Sequence, residues 1–311
     1  MSKKIAMIFP GQGSQSIGMG KSFYENSELA REMFAKAGER IGVDFAKLLF
    51  EENEQINETA YTQPAILLVS LIAYKLFQEE HPTEAVLFLG HSLGEFSALC
   101  ASGAIDYVDA VELVHKRGML MQNACADINA GMMAILGLED GVVEEICTQA
   151  NADGKRVWPA NFNQNGQLVV AGIKEDLAAM ESVFKEAGAK RALLLNMSIA
   201  SHCPLLSSAM DPLGEAMEIV VKDTFSAPIV SNASMQKYAT KKEAIDLLKI
   251  QLIQPVRYKQ SIEAIAGEIE LMIEFGHGAV LKGLNKRNAP DVETVGISDM
   301  ESLAKVCEVL S

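Results

Sequence analysis

Short, fully apolar runs alternate with amphipathic stretches along this chain, and the alternation predicts strands that feed helices. Ile5 to Phe9 is five apolar residues in a row, closed by Pro10-Gly11, which reads as a strand buried on both faces. Helical spacing follows at 28–41 and 64–78. A second apolar run, Ala85 to Leu89, leads into a helix reaching about Ser102, with Gly103 as its stop. Asp106, with Asp109 three residues on, predicts the N-cap of a helix that carries Val108, Val111 and Val114 on one face.

Between 128 and 197 the rhythm changes to strand, helix, strand, strand, helix, strand. The segments are 132–138, 142–149, 156–160, 168–171, 174–188 and 191–197. That is the βαββαβ order of a ferredoxin-like unit, read as an insertion into a larger parallel-sheet α/β unit formed by 1–127 and 198–311. The larger unit resumes with a helix at 207–220, a strand at 229–232, a helix at 242–253 and a last strand at 271–275.

Composition narrows the class. The chain has 311 residues, 49% hydrophobic but only 6% aromatic, which suits helices packed on a buried sheet. A net charge of −14 argues against nucleic-acid or anionic-membrane binding, so an acidic partner must meet a local basic patch. The longest apolar stretch, 65–74, is about half a membrane span. Ile5 to Phe9 is too short for a secretory h-region, so a soluble cytoplasmic protein is expected. The five cysteines are odd in number and lack a C-x-x-C pair, which reads as reduced thiols without a zinc site.

The most informative chemistry is Gly90-His91-Ser92-Leu93-Gly94-Glu95. A serine between glycines is a weak signal by itself. Between an apolar strand and a helix it predicts a nucleophile elbow, with the Leu93 N–H placed to face an oxyanion. Gly11-Gln12-Gly13 opens like a dinucleotide fingerprint, but Ser16 stands where the third glycine belongs. Ser92 needs a base, and five histidines compete. His81 and His115 read as surface residues, His277 as a turn residue between glycines, and His91 as a neighbour that points elsewhere. His202, after the last strand of the inserted unit, is placed to face Ser92 across a cleft. Arg117 reads either as a helix-end cation or as a clamp for a substrate carboxylate. No acid between Ser92 and His202 stands out as a third member.

Five segments together resemble the malonyl-CoA:acyl carrier protein transacylases of type II fatty acid synthesis. They are Phe9 to Gln15, Gly90 to Glu95, Arg117 to Gln122, Ser201-His202, and Gln251-Leu252 ahead of Gln254-Pro255-Val256. They fall in the family's order over essentially the whole chain. The resemblance implies an α/β-hydrolase-like core, Ser92 as nucleophile, and His202 as base, oriented by a main-chain carbonyl near Gln251 in place of an acid. It also implies oxyanion donors at Gln12 and Leu93, and substrate contacts from Arg117, Gln12, His91 and Met121, with no metal or redox cofactor. The implied partners are malonyl-CoA and an acidic acyl carrier protein, acting on a monomer. The carrier's expected dock is Lys282, Lys286 and Arg287, with Lys190 and Arg191 as a second candidate. The chain departs from the family at His277, where proline is usual. Alternatives of other kinds are a serine hydrolase of esters or thioesters, a malonyltransferase serving polyketide synthesis, and a non-catalytic carrier-binding module. Arg117 would be an odd burden for a hydrolase, and a binding module would not need Ser92 and His202 together.

Overall fold

The computed structural model describes residues 3–310 of the chain. Its strands, in chain order, are β1 (Ile5–Phe9), β2 (Leu87–Gly90), β3 (Ala130–Leu136), β4 (Val157–Gln164), β5 (Gln167–Ile173), β6 (Arg191–Leu194), β7 (Ile229–Val230), β8 (Lys237–Tyr238), β9 (Leu271–Phe275) and β10 (Glu293–Ile297). Six of them form one sheet in the order β10-β9-β1-β2-β7-β8. Every neighbouring pair there is parallel except β7 with β8. The other four form a separate antiparallel sheet in the order β4-β5-β3-β6.

All five residues of β1 and all five of β9 are buried, as parallel strands covered on both faces must be. Phe9, Tyr74, Phe77 and Phe275 interlock between the large sheet and the Thr59–Glu80 helix, with Phe77 and Phe275 ring centroids 5.4 Å apart. By length and composition this helix is able to cross a membrane, yet 83% of its apolar window is buried inside the protein, so it acts as a core helix. It extends further at both ends than the expected 64–78, with Pro64 inside it. Pro64 has no N–H to give the Ala60 carbonyl. His115 Nδ1 takes that place, 2.7 Å from Ala60 O. The expectation of a surface His115 is therefore corrected: it is half-buried and repairs the helix.

Period-two alternation divides the small sheet cleanly. Met133, Ile135, Leu168 and Val170 pack with Val143, Phe162 and Phe184 under the two helices Asp140–Ala152 and Lys174–Glu186. Met132, Val169 and Ala171 face the other way, into the main core. The two units are joined where Phe162 N donates to Val256 O and Val256 N donates to Ala160 O. Ion pairs Lys259–Asp140 and Arg257–Glu144 flank that junction.

Several expected boundaries move, each for a local reason. The 191–197 strand stops at Leu194, and the chain beyond it turns into a cavity. The 207–220 helix begins only at Met210, because Pro212 is tolerated in a first turn. Leu271–Phe275 is not the last strand: β10 pairs beyond it on the sheet edge. The 242–253 helix ends at Gln251, and the 229–232 strand stops at Val230, leaving Asn232 outside it. These last two changes build the site.

Candidate active site

Ser92 sits between β2 and the Leu93–Ala101 helix with φ 52 and ψ −104, a backbone region that L-residues rarely adopt. Its glycine neighbours make this possible. A Cβ on Gly90 would lie 1.9 Å from the Gly94 carbonyl carbon, and one on Gly94 would lie 2.1 Å from Phe9 O. Leu93 opens the helix, so its N–H belongs to the first-turn groups that have no intrahelical acceptor. The turn is further tied by Asn232, whose Oδ1 accepts from Ser92 N at 2.6 Å and whose Nδ2 donates to Gly90 O at 2.7 Å.

Ser92 Oγ lies 2.7 Å from His202 Nε2, and His202 Nδ1 lies 2.7 Å from the Gln251 carbonyl oxygen. A carbonyl only accepts, so Nδ1 carries the hydrogen and the lone pair of Nε2 faces the serine hydroxyl. Gln251 ends its helix, which is why this carbonyl is available. That carbonyl stands where a hydrolase triad has its acid. Burial, and next the positive charge of Arg117, push the His202 imidazole down to about 3, so it stands neutral, a weakened base whose Nε2 lone pair accepts from the serine hydroxyl.

Arg117 is 1% exposed. Its Nη1 donates to Gln63 Oε1 at 2.8 Å, and its Nη2 to Gln251 Oε1 at 3.0 Å and toward Ser92 Oγ at 3.4 Å. Its buried Nε has no hydrogen-bond partner among the described residues. Burial brings the guanidinium down to about 10, opposed by Glu95, so it remains charged near neutral pH. The Tyr107–Ala124 helix continues well past it. The helix-end cation reading is therefore excluded: Arg117 lies mid-helix on the buried face, over the Phe96 ring.

A cavity of about 170 Å³ opens beside Ser92. Gln12, Gln63, His91, Met121 and His202 line it from the large unit, and Met132, Val169 and Leu195 from the small sheet. Of the expected residues, Gln12, His91, Ser92, Met121 and His202 line this cavity, and Arg117 and Gln251 are hydrogen-bonded behind it.

The chain and its fold are matched by known proteins. The model of the acyl transferase domain family aligns with residues 6–302. The chain belongs to the acyl transferase family. The malonyl CoA-acyl carrier protein transacylase of Escherichia coli K12 is 38% identical over 309 residues, covering 98% of this chain and 99% of its own. That of Bacillus subtilis is 36% identical, covering 99% and 97%. Among solved structures, the Helicobacter pylori malonyl-CoA:acyl carrier protein transacylase superposes with a TM-score of 0.96 at 47% identity, covering 99% of both chains. A malonyl-transacylase in complex with the acyl carrier protein of a type II polyketide synthase gives a TM-score of 0.94 at 36% identity, covering 98% and 99%.

In this acyl transferase His91 is not a competing base. Its Nε2 pairs with Asn163 Oδ1 at 2.8 Å, its ring tilts against Tyr258, and burial lowers its pKa. Gln12 Nε2 donates to Thr59 Oγ1, and Met121 Sδ accepts from Gln63 Nε2. His277 makes a contact, its Nε2 lying 2.7 Å from Ser16 Oγ. His81 pairs with Thr83 and stacks on Phe77, half-buried and away from the cavity. Lys282, Lys286 and Arg287 lie on the Val280–Asn288 helix, whose Asn288 donates to Asn163 O on the cavity wall. Lys190 and Arg191 sit at the start of β6, and the cavity lies beyond its other end.

The sequence reading missed Glu95, Asn232 and Gln63. One signal was available for Glu95: it is the only charged residue in an otherwise small and apolar helix, LGEFSALCA.

Proposed function

We propose that this acyl transferase moves a malonyl group from coenzyme A to the phosphopantetheine thiol of an acyl carrier protein through a malonyl ester on Ser92. One observation carries the reading: a serine hydroxyl, a neutral imidazole fixed by a main-chain carbonyl, and a buried charged guanidinium within 3.4 Å of that hydroxyl. Relatives bearing the transacylase name cover nearly the full chain.

In the first half-reaction Ser92 Oγ attacks the thioester carbonyl as His202 Nε2 takes the hydroxyl proton. The oxyanion is held by the N–H groups of Leu93 and Gln12. The C–S bond breaks, and the coenzyme A sulfur leaves with the proton from His202. The carrier thiol then gives its proton to His202 and attacks the ester carbonyl, and Ser92 Oγ departs with that proton.

Arg117 receives the malonyl carboxylate, while Gln12, His91 and Met121 shape the pocket around the acyl chain. A carboxylate beside Arg117 cancels the charge that weakens His202, so the right substrate also strengthens the base. The route runs through side chains and backbone alone. The carrier's acidic surface docks on Lys282, Lys286 and Arg287. The same reading assigns 128–197 to a ferredoxin-like subdomain and the flanking parts to an α/β-hydrolase-like core. The strand order of the small sheet, with both its helices on one face, supports that assignment.

Intact-protein mass spectrometry after mixing with malonyl-CoA tests the reading. A stable malonyl adduct is expected on the native protein and none on Ser92→Ala. An adduct mapped to a peptide without Ser92 overturns the mechanism.

A further inference from the structure

Glu95 is fully buried one helical turn from the nucleophile, and the route above does not use it. Its Oε2 accepts from Gln251 Nε2 at 2.7 Å and from Asn232 N at 3.0 Å, and its Oε1 accepts from the Tyr238 hydroxyl at 3.1 Å. Gln251 is the junction. Its main-chain oxygen accepts from His202 Nδ1, its Oε1 accepts from Arg117 Nη2, and its Nε2 donates to Ser92 O at 3.1 Å as well as to Glu95.

The two ends of the Gln251 amide therefore face groups of opposite kind, the donor guanidinium of Arg117 and the acceptor oxygen of Glu95. Flipping the amide would set its NH2 against the guanidinium and its oxygen against the carboxylate. Without an acceptor at position 95, only the strained turn's Ser92 carbonyl is left to hold Nε2.

We propose that Glu95 is a positioning residue: by holding the Gln251 side chain it sets the carbonyl that fixes His202 and the amide oxygen that holds Arg117. This rests on the transacylase reading above. Base and specificity group are then aligned by one hydrogen-bonded acceptor instead of independently.

The test compares Glu95→Leu, similar in volume without an acceptor, with Glu95→Gln, whose amide oxygen replaces Oε2 while its NH2 turns to the Tyr238 oxygen. Three quantities are read: the ratio of malonyl-CoA to acetyl-CoA acylation rates per titrated active site, the rate at which an uncharged fluorophosphonate labels Ser92, and the urea midpoint. Glu95→Gln should keep the ratio and the labelling rate within about three-fold. Glu95→Leu should lose about ten-fold or more in both. If Glu95→Leu does not fold, Gln251→Leu, which keeps the main-chain carbonyl, should lose the ratio in the same way.

A Glu95→Leu or Gln251→Leu protein that is less stable yet keeps the native ratio and labelling rate would show a merely structural residue and overturn the proposal. A native protein that shows no malonyl preference would instead overturn the transacylase reading.

Discussion

The two walls of the cavity beside Ser92 are made of different chemistry. The large-unit wall carries the polar groups: Ser92, His202, Gln12 and Gln63 at the surface, with Arg117, Gln251 and Glu95 behind them. The small-sheet wall is mostly apolar, with Met132, Val169 and Leu195, and its amides Asn161 and Asn163 lie toward the junction with Val256 and the Val280–Asn288 helix. Groups whose spacing must be held to a fraction of an ångström share one unit, where the elbow glycines and the end of the Gln251 helix fix them. The opposite wall removes water and so strengthens every charge interaction on the first. Changes on one wall should alter the chemistry, and changes on the other should alter leakage.

The largest effect should come from breaking the relay. His202→Ala should slow acylation by about 10²–10⁴-fold with the fold intact, measured by stopped-flow release of coenzyme A. A loss below ten-fold would remove His202 as the base.

The same pair of buried groups makes a prediction about pH. His202 is held at about 3 by burial, and then by Arg117. The unfolded chain binds a proton near 6.5 that the folded chain refuses, so this stability is present above 6.5 and lost as pH falls toward 3. Glu95 is pushed up to about 7 by burial, against its hydrogen bonds from Asn232, Gln251 and Tyr238 and the charge of Arg117. Its contribution has the opposite sign, present below about 4.5 and lost as pH rises through 7. Between pH 5 and 6.5 the two cancel. Glu95→Gln should uncover the His202 slope, losing on the order of 2 kcal/mol relative to native protein on going from pH 6.5 to 5. His202→Ala should uncover the reverse. Urea midpoints at the two pH values decide it, and native-like slopes in both variants would count against this electrostatic picture.

Arg117→Ala should be next. A desolvated guanidinium rejects acetyl groups because they leave it unpaired, so removing it costs malonyl acylation about 2–5 kcal/mol and relieves the penalty on acetyl. A competition assay that still shows native discrimination would show that Arg117 is not the specificity group.

What could be read from the chain follows the same division. The elbow was legible because Gly90, Ser92 and Gly94 are adjacent and their spacing is itself the constraint. The strands of the separate antiparallel sheet were legible because the period changes at 128. Arg117 was found as a residue but misplaced in its helix, since amphipathic spacing marks a helix better than it marks an end. Asn232 and the precise end at Gln251 were not legible: a strand and a helix each stop early there because side chains from other elements take over the backbone groups. The edge strands β8 and β10 are short, and β10 is half-exposed, so neither leaves a clear alternation.

On the apolar wall the expected effect is smaller and of a different kind. Val169→Ala should leave acylation nearly unchanged, cost about 1 kcal/mol of stability, and shorten the life of the malonyl adduct several-fold by admitting water. Timed mass spectra of the isolated adduct would show it. A fall in acylation with an unchanged adduct lifetime would mean that this wall takes part in the chemistry and would erase the contrast between the two sides.

The smallest effect should lie outside both walls, at the proposed carrier dock. Glu274 anchors the Val280–Asn288 helix by accepting from Leu281 N at 3.0 Å and Lys282 N at 2.9 Å, and the far end of that helix is tied to the cavity through Asn288 and Asn163. Lys286 and Arg287 on this helix are exposed and belong to no ion pair among the described residues. On a chain of net charge −14 such an uncompensated pair would be a local attractor for an acidic carrier protein. Lys286→Glu with Arg287→Glu should therefore slow transfer to the carrier several-fold at low salt while barely touching self-acylation from malonyl-CoA. The defect should shrink as salt shortens the Debye length to about 8 Å at physiological strength and below. Equal losses in both half-reactions would place the fault in the cavity, and no loss in either would move the dock elsewhere.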